Sequence, residues 1–376
     1  MGKCPVPLLR FLKIMALVVP TVLFLLFLPA NNSDDTRRIQ DFYLEEPNSL
    51  DVVLLGSSDV YAGFSPTLAY SEFGFTSYPY VMSGNYIGML PYQLEDVLTT
   101  QSPSLILIEI TEALNGKPDS YDHRLREYIA GLPTLRQRHR CIQELGDRED
   151  LLSYYLPFSL YHGTASPKVL IENGRRAIQV RCRGYSLLKG TLTYTGDGHQ
   201  DNRSFFPTTN DHSTSKILPH TRKNFVKLLD YLQSNGLKNI LFVTFPHRTP
   251  DEGIYFRHQQ SNAVGDLIRS YGYDYINLDC CLEDMGIRLD TDFLDDEHLN
   301  LYGQYKNTRY LCRILTEEYG MKQTSLSAEN RQKWDACAQY QKRYYALFDS
   351  SVKAGGTEQW LKEDSWLYET LEETKK

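Results

Sequence analysis

The sequence predicts an α/β protein: a three-layer, doubly wound parallel sheet of about five strands. Residues 52–55 are all Val or Leu, the pattern of a strand buried on both faces. Each strand-like run is separated from the next by a helix-length segment, which calls for right-handed crossovers and covers both sheet faces. The chain has 376 residues of ordinary composition, long enough for one large core or two smaller ones.

The first element is Ile14 to Ala30, "IMALVVPTVLFLLFLPA", without a charged residue and preceded by Lys3, Arg10 and Lys13. Its length suits a short membrane span and exceeds the usual core of a signal peptide. The basic flank predicts a single-pass anchor with a cytoplasmic N-terminus and the main domain outside the cytoplasmic membrane. A cleaved signal is the alternative, though no clear A-x-A site supports it. Residues 1–30 thus read as tail and transmembrane anchor, and 31–48 as a polar linker.

Next come a strand at 51–55, a helix near 66–73, a strand near 77–82, an amphipathic helix near 87–99 and a strand at 104–110, "SLILIEI". The alternation resumes with the helix "SKILPHTRKNFVKLLDYLQSNG", the strand "NILFVTF", a helix near 258–271 and the strand "DYINL". The sheet domain is therefore 49–112 plus 216–320. Residues 113–215, with a hairpin expected at "TYTGDGHQ", are too many for a connection and read as an inserted cap over the ligand-binding crevice. Residues 321–376 read as a charged helical extension, packed on the domain or free for a partner.

Several function classes are disfavoured. A net charge of −7, with no basic patch beyond the N-terminus, argues against a nucleic-acid partner. No HxH, HExxH or CxxC pair supports a metal, and no GxxxxGKS or GxGxxG supports a nucleotide cofactor, so none is expected. Of the seven cysteines, the six beyond Cys4 allow up to three disulfides or buried free thiols, and a bond between the neighbours Cys280 and Cys281 would be strained.

Two stretches carry chemistry. In "LDVVLLGSSDVYAGFSP", Gly56 permits a tight strand-to-helix corner that exposes hydroxyls, and Ser58 would stand at a helix N-terminus, where backbone N–H groups favour developing negative charge. In "FLDDEHLNLYGQYKNTRYL", Asp295 lies three positions before His298. A carboxylate there can accept the ring N–H, fix the tautomer and leave the other nitrogen as a base, which is half a catalytic triad. The strand "ILFVTFPHRTP" delivers His247 and Arg248 to the same crevice, as candidates for holding an anionic or sugar-bearing substrate. His162 in "LPFSLYHGTA" and the tyrosines of "TSYPYV" read as packing residues.

The "LGSSxxYxGFxP" opening, the "SGN" after the second strand and the "DDEHLNLYG" close resemble the SGNH/GDSL hydrolase superfamily. They look most like its membrane-anchored bacterial cell-envelope branch, related to proteins that handle acyl groups on cell-wall polysaccharide. The resemblance covers about residues 50–112 and 216–318 and implies a flavodoxin-like sheet. It also implies Ser58 as nucleophile, His298 as general base and Asp295 as its orienting carboxylate. The N–H groups of Ser58 and Gly84 would form the oxyanion hole. The family's Gly-x-Asn after the third strand is missing: this chain has "LIEITEALN", where Glu109 would repel an oxyanion unless turned away, and Asn85 is the substitute amide. The expected activity is a serine esterase or O-acyltransferase on acyl esters of an envelope polysaccharide. The alternative is a degenerate envelope protein that binds glycan or a membrane acyltransferase partner.

Overall fold

Five apolar runs become the strands β1 (Val52–Leu55), β2 (Ser77–Pro79), β3 (Leu105–Glu109), β4 (Ile240–Thr244) and β5 (Asp274–Asn277). All pair in parallel, in the order β2-β1-β3-β4-β5. The computed structural model describes residues 6–27, 33–155, 178, 180, 182–194, 203–322 and 325–353. Register pairs Val53 with Tyr78 on one side and Ile106 on the other, and Ile108 with Phe242. This is the doubly wound α/β architecture, with the strand order of flavodoxin-like sheets.

The helices are α1 (Val6–Phe27), α2 (Asp34–Phe42), α3 (Ser58–Gly63), α4 (Pro66–Phe73), α5 (Leu90–Leu98), α6 (Tyr121–Gly131), α7 (Leu135–Leu145) and α8 (Leu151–Tyr155). They continue as α9 (Pro219–Ser234), α10 (Glu252–Ser270), α11 (Leu282–Met285), α12 (Leu301–Glu317) and α13 (Ala328–Lys353). Because side chains alternate along a strand, β1 splits its apolar residues between two cores. Val53 and Leu55 pack with Leu94 of α5, Phe225 and Leu229 of α9 and Val264 of α10. Val52 and Leu54 pack with Val60 of α3 and Leu311 and Leu315 of α12. Each such fully buried aliphatic side chain contributes about 1.5–3 kcal/mol, so the sheet is a rigid base for whatever its loops carry.

The structure differs from expectation in two segments outside the sheet. Residues 33–42 are not a linker. Ser33 caps α2 by accepting the Thr36 N–H, and α2 buries Ile39 and Phe42 in the first core beside α6. Its polar composition concealed this because Asp35 and Arg38 are buried as an ion pair at 2.7 Å. The first half of the insert is not a cap either: Leu125, Tyr128 and Ile129 of α6 belong to the same core as β1. The C-terminal helix α13 docks on the domain through fully buried Trp334, whose ring lies 5.2 Å from Tyr70 of α4. The predicted span is helical through Phe27. Residues 28–30 lie outside the described residues, and among those described no helix is long and apolar enough to cross a membrane. His162, the tip of the expected hairpin and residues 354–376 also lie outside them. Cys141, Cys182, Cys280, Cys281, Cys312 and Cys337 are free thiols.

Candidate active site

The C-terminal ends of the strands bring the candidate residues to one edge of the sheet, where open α/β sheets bind ligands. The corner after β1 depends on Gly56. Its φ of +141° disfavours side chains, and a Cβ there would lie 2.6 Å from Glu109 Cβ. Ser57 caps α3 and is fully buried. Ser58, the first residue of α3, is partly exposed, so of the two hydroxyl residues only Ser58 opens outward.

Glu109, at the end of β3, is turned away from the crevice. One carboxyl oxygen accepts the Ser57 hydroxyl at 2.8 Å and the Ser57 N–H at 3.2 Å, and the other accepts the Thr111 N–H. Burial, and then the charge of Asp59, raise its pKa to about 7. This carboxylate therefore serves as an internal strut for the corner.

The Asp295–His298 pair forms as the spacing predicts. His298 Nδ1 lies 2.9 Å from Asp295 Oδ2, and Asp295 Oδ1 also accepts the N–H of Glu297 at 2.9 Å and of His298 at 2.7 Å. Burial opposes the charged ring, but the Asp295 hydrogen bond and the charges of Asp59, Asp295 and Glu297 outweigh it and raise the His298 pKa. Burial likewise opposes the Asp295 anion, but hydrogen bonds from the His298 ring and from backbone N–H groups hold its pKa at about 2. His298 Nε2 is buried with no hydrogen-bond partner among the described residues, so no bond joins it to Ser58. A ring held by Nδ1 with Nε2 open has the tautomer of a general base.

The Gly84 loop after β2 is held from the supposed linker. Asp35 accepts the Ser83 N–H at 3.0 Å and its hydroxyl at 3.2 Å, while Tyr61 Oη lies 3.0 Å from Ser83 Oγ. Gly84 has φ +57° and open space at its Cβ position. Asn85 is buried, and one of its N–H groups is committed to Gln93 at 2.9 Å.

His247 and Arg248 do not line an open surface. Both are buried: His247 lies between Asp59, 3.1 Å from Nε2, and Asp279, 3.4 Å from Nδ1, and the Arg248 guanidinium lies 5.2 Å from the Phe293 ring centre. The insert contributes residues 192–194. The Leu192 N–H bonds to the Tyr61 carbonyl and Thr193 to Gln304 of α12, which lays the Tyr194 ring against His298 at 5.6 Å, edge to face.

Sequence reasoning missed Asp59, Asp279, Tyr194 and Asp35. Asp59 adjoins Ser58 and Asp279 follows β5, so the strand-end rule could have flagged both; nothing local marks Tyr194 or Asp35. No protein-family model matches the chain, and no curated protein matches it.

Proposed function

We propose that this chain is a serine esterase or O-acyltransferase of the SGNH kind, acting on acyl esters of a cell-envelope polysaccharide. In this reading residues 14–30 anchor it in the membrane with the main domain outside the cytoplasm. The observation that carries the reading is His298: Nδ1 is held by Asp295 and Nε2 is left unpartnered, at the sheet edge where Ser58 opens outward.

The chemistry follows from those groups. His298 Nε2 takes the proton of Ser58 Oγ as that oxygen attacks the ester carbonyl, and Asp295 stabilises the imidazolium. The N–H groups of Ser58 and Gly84, with the Asn85 amide, receive the oxyanion. His298 returns its proton to the departing sugar oxygen, leaving acyl-Ser58. Water or a second sugar hydroxyl then gives a proton to His298 and attacks the acyl carbon, and Ser58 leaves with that proton.

A second reading, a glycan- or partner-binding protein that keeps the fold without turnover, is favoured by the lack of a Ser58–His298 hydrogen bond. The two readings separate in one experiment on the detergent-solubilised full chain. Turnover of p-nitrophenyl acetate and labelling by a fluorophosphonate are compared with Ser58→Ala and His298→Ala. The enzyme reading expects labelling at Ser58 and a loss in turnover of at least about 10³-fold in either variant. Absence of both labelling and turnover in the parent would favour the binder.

A further inference from the structure

The helix that carries Ser58 cannot complete itself. α3 has six residues, and the carbonyls of a helix's last turn have no partner within it. Here each finds a donor beyond the helix. The Val60 carbonyl accepts the Phe64 N–H at 3.0 Å, Tyr61 the Leu192 N–H at 3.0 Å, Ala62 the Gln304 amide at 2.8 Å and Gly63 the Asn307 amide at 2.9 Å. The next carbonyl, that of Phe64, accepts the Thr191 hydroxyl at 3.2 Å. Residues 191–192 of the insert and one face of α12 thus close the end of α3 together.

The same strip closes the start of α12, the helix that follows His298. Asn300 caps α12 by accepting the Tyr302 N–H at 3.0 Å and the Gly303 N–H at 3.2 Å, and the Leu301 N–H goes to the Tyr194 carbonyl at 2.9 Å. Between these ends the buried Thr193 donates its hydroxyl to Gln304 Oε1 at 3.0 Å, which turns the amide nitrogen toward Ala62. Residues 191–194 therefore run from the end of the Ser58 helix to the first residue of α12, bonded at both. The strip finishes with the Tyr194 ring, edge to face with His298 at 5.6 Å and 65°.

We propose that residues 191–194 clamp the nucleophile helix to the base loop, and that Tyr194 is a positioning residue that holds the His298 ring where it receives the Ser58 proton. The proposal rests on the reading of Ser58 and His298 given above. Asp295 fixes the tautomer through Nδ1, at 2.9 Å, but a ring hinged on one hydrogen bond can still tilt about it. A second ring packed against it removes that freedom, as a catalytic side chain requires of its supports. The hydrogen bonds of the clamp hold the support itself in place, because they fix the backbone of Tyr194 on α12 while its neighbours fix α3.

Tyr194→Ala tests the ring alone, since the carbonyl bonded to Leu301 remains. In the detergent-solubilised full chain, fluorophosphonate labelling of Ser58 should reach the parent's end point at a rate about 10²-fold lower, the cost of a catalytic group displaced by about 1 Å. The kcat for p-nitrophenyl acetate falls with it while KM is unchanged, and Tyr194→Phe, which returns the ring without the hydroxyl, restores both. An undiminished labelling rate in Tyr194→Ala overturns the proposal. So does a loss carried by KM, which places the ring against substrate, or a loss that Tyr194→Phe does not restore. Tyr194→Leu serves if Tyr194→Ala does not fold, and loss of the fold in both assigns the residue to stability and overturns the proposal. Mobility of the His298 ring is read without substrate, by 13C relaxation of labelled histidine assigned with His298→Gln. A ring that loosens in Tyr194→Ala, in a protein that turns over no ester, supports the clamp and overturns the esterase reading. An active parent whose His298 ring stays as rigid in Tyr194→Ala overturns the clamp alone.

Discussion

Gly56→Ala perturbs the corner at its tightest point. The added Cβ lies 2.6 Å from Glu109 Cβ, 3.0 Å from Glu109 Oε2 and 3.1 Å from Val60 Cγ2, on a backbone with φ +141°. Holding a non-glycine residue at that φ costs about 1–3 kcal/mol. The overlap is an overpacking defect of about 1–3 kcal/mol more. Glu109 cannot retreat, because its backbone is paired with Val243 of β4, so the Ser57–Ser58 corner is what moves. Gly84→Ala is the control: its φ of +57° is also left-handed, but nothing lies within 4 Å of the new Cβ. That variant is expected to lose only about 1–2 kcal/mol. Urea unfolding of the full chain, followed by circular dichroism, measures both. Gly56→Ala should be the less stable by at least about 1 kcal/mol. Ester turnover in Gly56→Ala should drop about 10²-fold, the cost of a catalytic group displaced by about 1 Å. A Gly56→Ala protein as stable and as active as Gly84→Ala would refute the claim that Glu109 and Gly56 together set the corner.

Two further outcomes are expected. Glu109 has a pKa of about 7 against an ordinary 4.5, so the folded state holds this proton more tightly than the unfolded chain does. Its contribution is complete below about pH 4.5 and is lost as pH rises through about 7, up to about 3 kcal/mol in all. Glu109→Gln should abolish that slope in unfolding free energy, and an unchanged slope would mean that another group titrates. Asn85→Ala strands the buried Gln93 amide, a loss of about 1–3 kcal/mol. The same change should lower turnover about 10²-fold if the Asn85 amide receives the oxyanion, and an unaltered rate removes Asn85 from that role.

The strands were legible because their signal is local. The run from Val52 to Leu55 is wholly buried, and so is that from Leu105 to Ile108 of β3, as unbroken aliphatic runs require in a parallel sheet covered on both faces. The helix α2 was not legible. It has two apolar anchors in the core, Ile39 and Phe42, and its other buried positions, Asp35, Thr36, Arg38 and Asp41, are polar, with partners that include Ser83, Glu127 and Gly190 elsewhere in the chain. Asp35 pairs with Arg124 at 3.2 Å and holds the Ser83 loop, contacts that make a polar segment bury itself and that no window of sequence contains. The insert misled for a similar reason: its length implied a cap, but the apolar face of α6 found the sheet core, while the strip from Thr191 to Tyr194 reaches the site.

By itself the sequence determined the alternation of strand and helix, the glycine corner and the Asp295–His298 pair. Each of these is a matter of a few consecutive residues, and a carboxylate three positions before a histidine meets it by backbone geometry alone. The tertiary structure alone decided that Ser57 is bound to Glu109, 52 positions away, and so cannot be the outward hydroxyl. It alone turned His247 inward to Asp59, 188 positions away, and set Tyr194 against His298. The physical reason is the parallel sheet: its crossovers bring distant strand ends side by side, and burial there leaves each polar group to find its partner among whichever residues share that edge.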